Sequence, residues 1–173
     1  MTRYINMIDA NKVAALSDNP SMPFGEKILF PDNTEYQFVY WDGASPSSVT
    51  LGDVLFVDAN GGTATYTTTP RVDAVATSSI VQHIGIATAT LSAAGGFYVQ
   101  TRGLCPSVNV LGSSYDTGAG QNLIAINGQK YLTDVGSVSY ARTVKTVGWT
   151  TQAYTTASAA VIPVVLCGDM AQV

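Results

Sequence analysis

The stretch Gly52-Asp53-Val54-Leu55-Phe56-Val57-Asp58-Ala59-Asn60-Gly61 decides the fold class, because a similar stretch occurs again later in the chain. The second copy reads Gly120-Gln121-Asn122-Leu123-Ile124-Ala125-Ile126-Asn127-Gly128. In both copies an apolar segment runs into Asn-Gly, a pair that favours the type I′ turn of a β-hairpin because both of its residues tolerate positive φ. The repeat therefore predicts two hairpins in related places.

The motifs that follow each hairpin also occur in the same order. An apolar-Gly-apolar segment comes first, and a Val-containing strand then leads to Leu-Cys. These segments are Ile84-Gly85-Ile86-Ala87, Leu104-Cys105, Val147-Gly148-Trp149-Thr150 and Leu166-Cys167. Short strands, frequent turns and no sustained helical period predict an all-β protein. We expect two tandem small β-barrel or sandwich modules, either β-tulip-like or jelly-roll-like.

Turn-forming residues suggest where the modules begin and end. Residues 1–24 are predicted to form an extended N-terminal arm, although a frayed terminus explains the same weak pattern. The first β-module is assigned to 25–106 and the second to 107–173, and one fused domain remains an alternative. The Gly-rich stretch from Gly112 to Gly120 is interpreted as a linker between the modules.

Two strands carry particular expectations. Within 34–41, Tyr36, Phe38 and Tyr40 alternate with other residues, and this period of two predicts a half-buried strand. In the last strand, Pro163 cannot donate a backbone hydrogen bond, so it predicts either an edge strand or a bulge.

The composition favours association with other subunits. Only 12% of the 173 residues are charged, against about 25% in an ordinary soluble domain. Depletion of Lys and Glu is also a property of protein interfaces, although a Ser/Thr-rich polar surface would serve a lone molecule equally well. The net charge is −4 and the cations are scattered, so direct nucleic-acid binding is not expected.

The chain start and the hydropathy pattern carry no membrane or export signal. Residues 1–9 contain no apolar core of a signal peptide. No apolar run approaches the roughly 20 residues that cross a bilayer. We therefore expect synthesis in the cytoplasm and no membrane partner.

The candidate reactive residues are few. His83 is the single histidine and lies in a predicted strand without a nucleophile motif nearby. Cys105 and Cys167 are interpreted as two small buried side chains, with a disulfide between them left open. Zinc binding is not expected, because the sequence offers no closely spaced pair of ligands.

Two acidic segments also invite a functional interpretation. Asp53 and Asp58 resemble a glycosidase carboxylate pair, but their odd spacing places them on opposite faces of a strand. The segment 58–62 lacks the ligand series of a calcium loop and is better explained as a hairpin turn. We predict no catalytic, metal-binding or cofactor-binding residue, and no enzyme activity.

The aromatic residues support an alternative. Trp41, Trp149, Tyr36 and Tyr40 could together form a platform on which a sugar ring stacks, although core or interface packing is favoured by their strand positions. A carbohydrate-binding β-module of a phage tail fibre or another receptor-binding protein is therefore the alternative function.

The first copy, with its Gly-Asp strand, Ile84-Gly85-Ile86-Ala87 and the segment Tyr98-Val99-Gln100-Thr101-Arg102-Gly103, resembles the capsid decoration (cement) proteins of tailed bacteriophages. The resemblance extends through both copies, over about residues 50 to 168, and the second copy departs from it at Gln121 and Thr150. It implies a structural virion protein without catalytic residues that binds the outside of an icosahedral capsid and stabilises it. The implied partners are the major capsid protein and further copies of the chain, as a dimer or trimer.

Overall fold

The computed structural model describes residues 2–4, 25–41, 48–57, 72–73, 83–111, 119–125, 129–134, 146–153 and 159–168. These residues form strands and no helix, so the all-β prediction is confirmed. The strands are β1 Thr2–Tyr4, β2 Lys27–Leu29, β3 Glu35–Trp41, β4 Val54–Val57, β5 Val72–Asp73, β6 His83–Ala87, β7 Gly95–Leu111, β8 Asn122–Ala125, β9 Leu132–Asp134, β10 Thr146–Thr150 and β11 Ala159–Cys167.

The long strand β7 organises the molecule, because its two halves pair with different neighbours. Residues 95–102 pair with β3 and β6, whereas residues 102–111 pair with β11 and β9. A left-handed glycine, Gly103 at φ 87°, lies at the join. One continuous strand thus belongs to two strand assemblies.

The second assembly is a closed five-stranded barrel. Its strands follow the order β7, β11, β10, β8 and β9, and a parallel pairing of β9 with residues 110–111 of β7 closes the ring. Its core is built from small and branched side chains: Cys105, Val108, Val110, Leu123, Leu132, Ile162, Val164 and Leu166. Half of these residues are β-branched, a type of side chain that packs well on a pleated surface.

The first assembly has the order β3, β7, β6, β4 and β5, and β5 lies close to β3 without pairing with it. It contains a separate apolar cluster made of Val39, Trp41, Val49, Leu55, Ile84, Ala87, Phe97 and Val99. The opposite side of β4 and β6 contributes Val54, Phe56 and Ile86 to the core of the closed barrel. The two assemblies therefore pack against each other through β4 and β6.

Strand β3 is covered more completely than its alternation predicts. Tyr36 and Phe38 are buried as expected, and their rings contact Phe30 and Tyr98. Trp41 lies on the other face of β3 and is also fully buried, because that face packs into the apolar cluster of the first assembly.

Pro163 lies in a bulge. β11 pairs with β7 on one side and with β10 on the other, so it is not an edge strand. The register with β7 shifts between Ile162 and Val164, and this shift leaves Pro163 outside the ladder. The bulge alternative from the sequence is confirmed.

The predicted boundary between residues 106 and 107 lies inside β7. The division into 25–106 and 107–173 stays a prediction, as does the single fused domain. Of the predicted arm, residues 2–4 form β1, which pairs in parallel with β2, while 5–24 lie outside the described residues. The linker prediction also falls mostly outside them, since 112–118 are not described.

Candidate interaction surface

Asp53 forms hydrogen bonds with residues from three separate segments of the chain. It is almost completely buried, with 2% of its surface exposed. Its Oδ1 accepts a hydrogen bond from Asn109 Nδ2 at 2.9 Å. Its Oδ2 accepts from the backbone N–H of Thr50 at 2.9 Å and from Lys130 Nζ at 3.3 Å. Lys130 Nζ also donates to the backbone oxygen of Ser48 at 3.2 Å. The carboxylate is thus occupied in holding the first assembly to the barrel.

The backbone around Asp53 adds to this connection. Gly52 has φ 88°, and a Cβ atom at this position would lie 3.1 Å from the backbone oxygen of Ser107. The carbonyl of Gly52 accepts a hydrogen bond from the N–H of Asn109, and the N–H of Val54 donates to the carbonyl of Lys130. The Gly-Asp motif therefore has a structural explanation in close backbone approach.

The same backbone hydrogen bonds occur in both copies of the sequence pattern. In the first, Gly52 N–H donates to Ala87 O and Ala87 N–H donates to Asp53 O, each at 2.9 Å. In the second, Gly120 N–H donates to Thr150 O at 2.8 Å. Thr150 N–H donates to Gln121 O at 3.0 Å. The aligned positions of the two copies thus make matching contacts, including the positions where the side chains differ.

The glycine of each apolar-Gly-apolar segment lies against a neighbouring backbone. A Cβ atom on Gly85 would come within 2.7 Å of Gln100 O, and one on Gly148 would collide with Val165 O. Both glycines also lie beside a register shift, in the β4–β6 pair and the β10–β8 pair respectively. Close packing of strands explains why only glycine fits.

The two cysteines are free thiols. Burial raises the pKa of the Cys105 thiol to about 11, and a backbone hydrogen bond of Ser107 partly opposes this rise. Burial also raises the pKa of Cys167. Each thiol is therefore protonated at neutral pH, which is the unreactive form. In the pairing of β7 with β11, Cys105 lies opposite Val164 and Cys167 lies opposite Arg102. The two cysteines are therefore not cross-strand partners, and the disulfide that the sequence left open does not form.

The other candidate residues are not brought together. His83 lies in β6, as predicted for a strand histidine. Asp58 lies outside the described residues, so the carboxylate pair is not testable in the structure. Among the residues that are described, no group of three His, Cys, Asp or Glu side chains is placed to hold a metal ion.

The four aromatic residues proposed for sugar stacking are separated. Trp41 and Tyr36 are buried, and Tyr40 is half-buried on the same strand. Trp149 lies on β10, beyond β7 and β11 in the sheet order, and is 40% exposed. The prediction of a platform made from all four residues is therefore wrong. Three of them lie on β3, two of these three are buried, and the exposed Trp149 lies on a different strand.

A row of three apolar residues and one asparagine crosses the outside of the closed barrel. Cross-strand pairing joins its members in the order Leu104, Val165, Trp149 and Asn122, on β7, β11, β10 and β8. Leu104 is 55% exposed, Val165 is half-buried and Asn122 is exposed. We call these four residues the outer row. Val161, at 61% exposure, extends the apolar surface along β11.

The sequence interpretation missed this surface. The available signal was the run Val161-Ile162-Pro163-Val164-Val165, which is apolar at every position. A strand with one face in water alternates between apolar and polar residues. An unbroken run therefore indicates that the outward face is also apolar, and such exposed patches mark interaction sites.

No model of a known protein family matches the sequence, and no characterised protein matches it either. Within the described part of the chain, no helix is long and apolar enough to cross a membrane.

Proposed function

We propose that this chain is a structural virion protein that binds the outer surface of an icosahedral phage capsid and stabilises it. The observation that carries the proposal is the outer row, an exposed apolar surface on a closed barrel, which suits a subunit that assembles with its neighbours. The most buried carboxylate among the described residues, Asp53, is engaged in internal hydrogen bonds, which suits a scaffold. The resemblance to decoration proteins supplies the class of target.

The chain is proposed to consist of two tandem β-modules that share β7. The matching hydrogen bonds of Gly52 and Gly120 support this interpretation. The pairings support it as well, since Phe56 pairs with His83 where Ile124 pairs with Thr146. An extended arm at 1–24 remains part of this proposal.

Capsid binding of this kind depends on repetition. Each copy contacts the major capsid protein weakly, and copies joined as a dimer or trimer bind more tightly because later contacts form at high effective concentration. The proposed location is the virion surface, after synthesis in the host cytoplasm. No cofactor takes part in this role, and no reaction is catalysed.

Co-sedimentation tests the proposal directly. Undecorated shells of the proposed partner, the major capsid protein, are mixed with the purified protein and pelleted, with each component alone as the control. We expect saturable binding at a fixed number of copies per shell. We also expect little dependence on salt, because few charges are available for screening. Failure to bind at every ionic strength would contradict the proposal.

Carbohydrate binding is the second candidate, and one observation favours it. Trp149 is exposed and lies directly opposite the exposed Asn122, which places an aromatic face beside an amide. Such a pair can stack on a sugar ring and hydrogen-bond to its hydroxyls. A glycan array decides the matter: hits lost in both Trp149→Ala and Asn122→Ala support this candidate, and an array without hits removes it.

A further inference from the structure

The outer row has a counterpart in the first assembly with the same strand relationships. The counterpart consists of four residues paired in the order Tyr36, Gln100, Ile86 and Val54. They lie on β3, β7, β6 and β4, which pair with one another as β7, β11, β10 and β8 do. We call these residues the covered row.

The two rows differ sharply in exposure. Ile86 and Val54 are fully buried, and Gln100 and Tyr36 are nearly so. Val54 and Ile86 are covered by the closed barrel, whose core includes both of them, whereas the ring of Tyr36 contacts Phe30. The Nε2 atom of Gln100 donates to the backbone oxygens of Arg102 and Leu104 at 3.1 and 3.0 Å. Within one chain, the closed barrel thus packs on the row of the first assembly. The equivalent row on the barrel itself, the outer row, has no such cover.

We propose that a second copy of this chain covers the outer row. A second copy carries a further β assembly of the kind that covers the equivalent row within the chain. This inference deepens the proposed function, because it names the partner at this surface, and it rests on the two-module interpretation made there.

The charge distribution favours a copy of the same chain over a charged partner. Residues 146–150 and 159–167, and residues 104–111 of β7, contain no ionisable side chain apart from Cys105 and Cys167. The chain as a whole carries a net charge of −4. Two acidic copies can meet at this neutral surface without placing like charges together, and a strongly basic partner would find no carboxylate there.

The hydrogen bonding of the strands limits the kind of contact that a second copy can make with the outer row. β11 pairs on both sides, with β7 and β10, so a partner cannot add a strand beside it. The contact must instead be side chains packed face to face.

The mass of the native protein in solution tests this inference without any capsid. We expect light scattering after gel filtration to give an oligomer at micromolar concentration. Leu104→Ser should weaken its association about thirtyfold or more, because a Leu buried at an interface contributes roughly 2 kcal/mol. Leu51→Ser is the matched control, since Leu51 is also exposed, at 45%, but lies outside the row. It should leave the mass unchanged.

A second readout guards against a variant that fails to fold. Acrylamide quenching reports on Trp149, because Trp41 is fully buried in the isolated chain. In the wild-type protein, quenching should increase on dilution as the oligomer dissociates. A monomer at all concentrations, or equal loss of association in Leu104→Ser and Leu51→Ser, would overturn the inference.

The outcome is separable from the proposed function. A protein that is monomeric yet co-sediments with capsids would refute the copy-to-copy contact and leave capsid binding standing. A stable oligomer that ignores capsids would support the contact and refute the proposed function.

Discussion

Asp53 and Asn109 are 56 positions apart in the chain, and their side chains are joined by a hydrogen bond of 2.9 Å. Asp53 precedes β4 in the first assembly, and Asn109 belongs to the part of β7 that forms the closed barrel. Backbone bonds from Asn109 to Gly52 and from Val54 to Lys130 surround the same contact. This contact connects the two strand assemblies through a buried carboxylate and a half-buried amide.

Removing the Asp53 carboxylate should destabilise the whole molecule. We expect Asp53→Ala to lower the free energy of unfolding by about 3 kcal/mol, because it leaves Asn109 Nδ2, the N–H of Thr50 and Lys130 Nζ without their acceptor. Asn109→Ala should lower the free energy of unfolding by about 1–3 kcal/mol. In the double variant the decrease should be smaller than the sum of the two single decreases, because both substitutions remove the same hydrogen bond. Urea unfolding measures each value. Gln152→Ala, at an exposed position, is the control; additive losses would contradict a shared contact.

Gly52 is expected to resist replacement for two reasons that can be separated. Gly52→Ala combines left-handed backbone strain with a contact at 3.1 Å to Ser107 O. Gly120→Ala carries similar strain at φ 80°, with open space around the added methyl group. We expect a loss of about 1 kcal/mol for Gly120→Ala and about 2 kcal/mol or more for Gly52→Ala. Thermal unfolding measures both, and equal losses would show that the contact with Ser107 has no effect.

Gly85 and Gly148 should be equally intolerant of a side chain. In Gly85→Ala and Gly148→Ala the new methyl group meets a backbone oxygen, of Gln100 or of Val165, which cannot move without disturbing a strand pair. We expect each variant to lose about 2–4 kcal/mol or to fail to fold. Gly95→Ala is the matched control, because its nearest neighbours are 4.0 Å away. A stable Gly148→Ala protein would contradict the described packing of β10 on β11.

Cys105 should react slowly with thiol reagents until the solution is strongly alkaline. Its pKa is raised to about 11 by burial, and the thiolate is the reacting form. In Cys167→Ser, which leaves Cys105 as the one thiol, modification at pH 8 should be far slower in the native protein than in urea. Fast labelling of the native protein at pH 8 would contradict this burial.

The same shift gives stability a direction with pH. The unfolded thiol loses its proton near pH 9, whereas the folded one keeps it until about pH 11. The unfolded state therefore binds fewer protons between these values, so the contribution of Cys105 is complete below pH 9 and is lost as the pH rises to 11. Urea midpoints measured across this window should fall, and less steeply in Cys105→Val.

Much of the fold follows from local sequence signals. The alternation in 34–41 predicts β3, and the bulge at Pro163 follows from its missing N–H. The Asn127-Gly128 signal agrees with the antiparallel pairing of β8 and β9 on either side of it. These features depend on residues close together in the chain, which is why pattern alone detects them.

The features that depend on distant residues were not predictable in the same way. The bond between Asp53 and Asn109 joins residues whose spacing carries no signal. The sequence also does not predict that β7 continues through Pro106. A proline lacks the backbone N–H and usually ends a strand, so this prediction would require the neighbouring strands to be known. The outer row requires the register of four strands, so its members look like ordinary strand residues until the sheet is assembled.

Cryo-electron microscopy of capsids incubated with the purified protein is the most direct test of the central claim, that this chain is a structural protein of the capsid surface. We expect added density on the outside of the shell alone, repeated at symmetry-related positions. Each copy should show the closed barrel, with Leu104 and Trp149 facing a second copy. Capsids that gain no external density at saturating protein concentration would contradict the account.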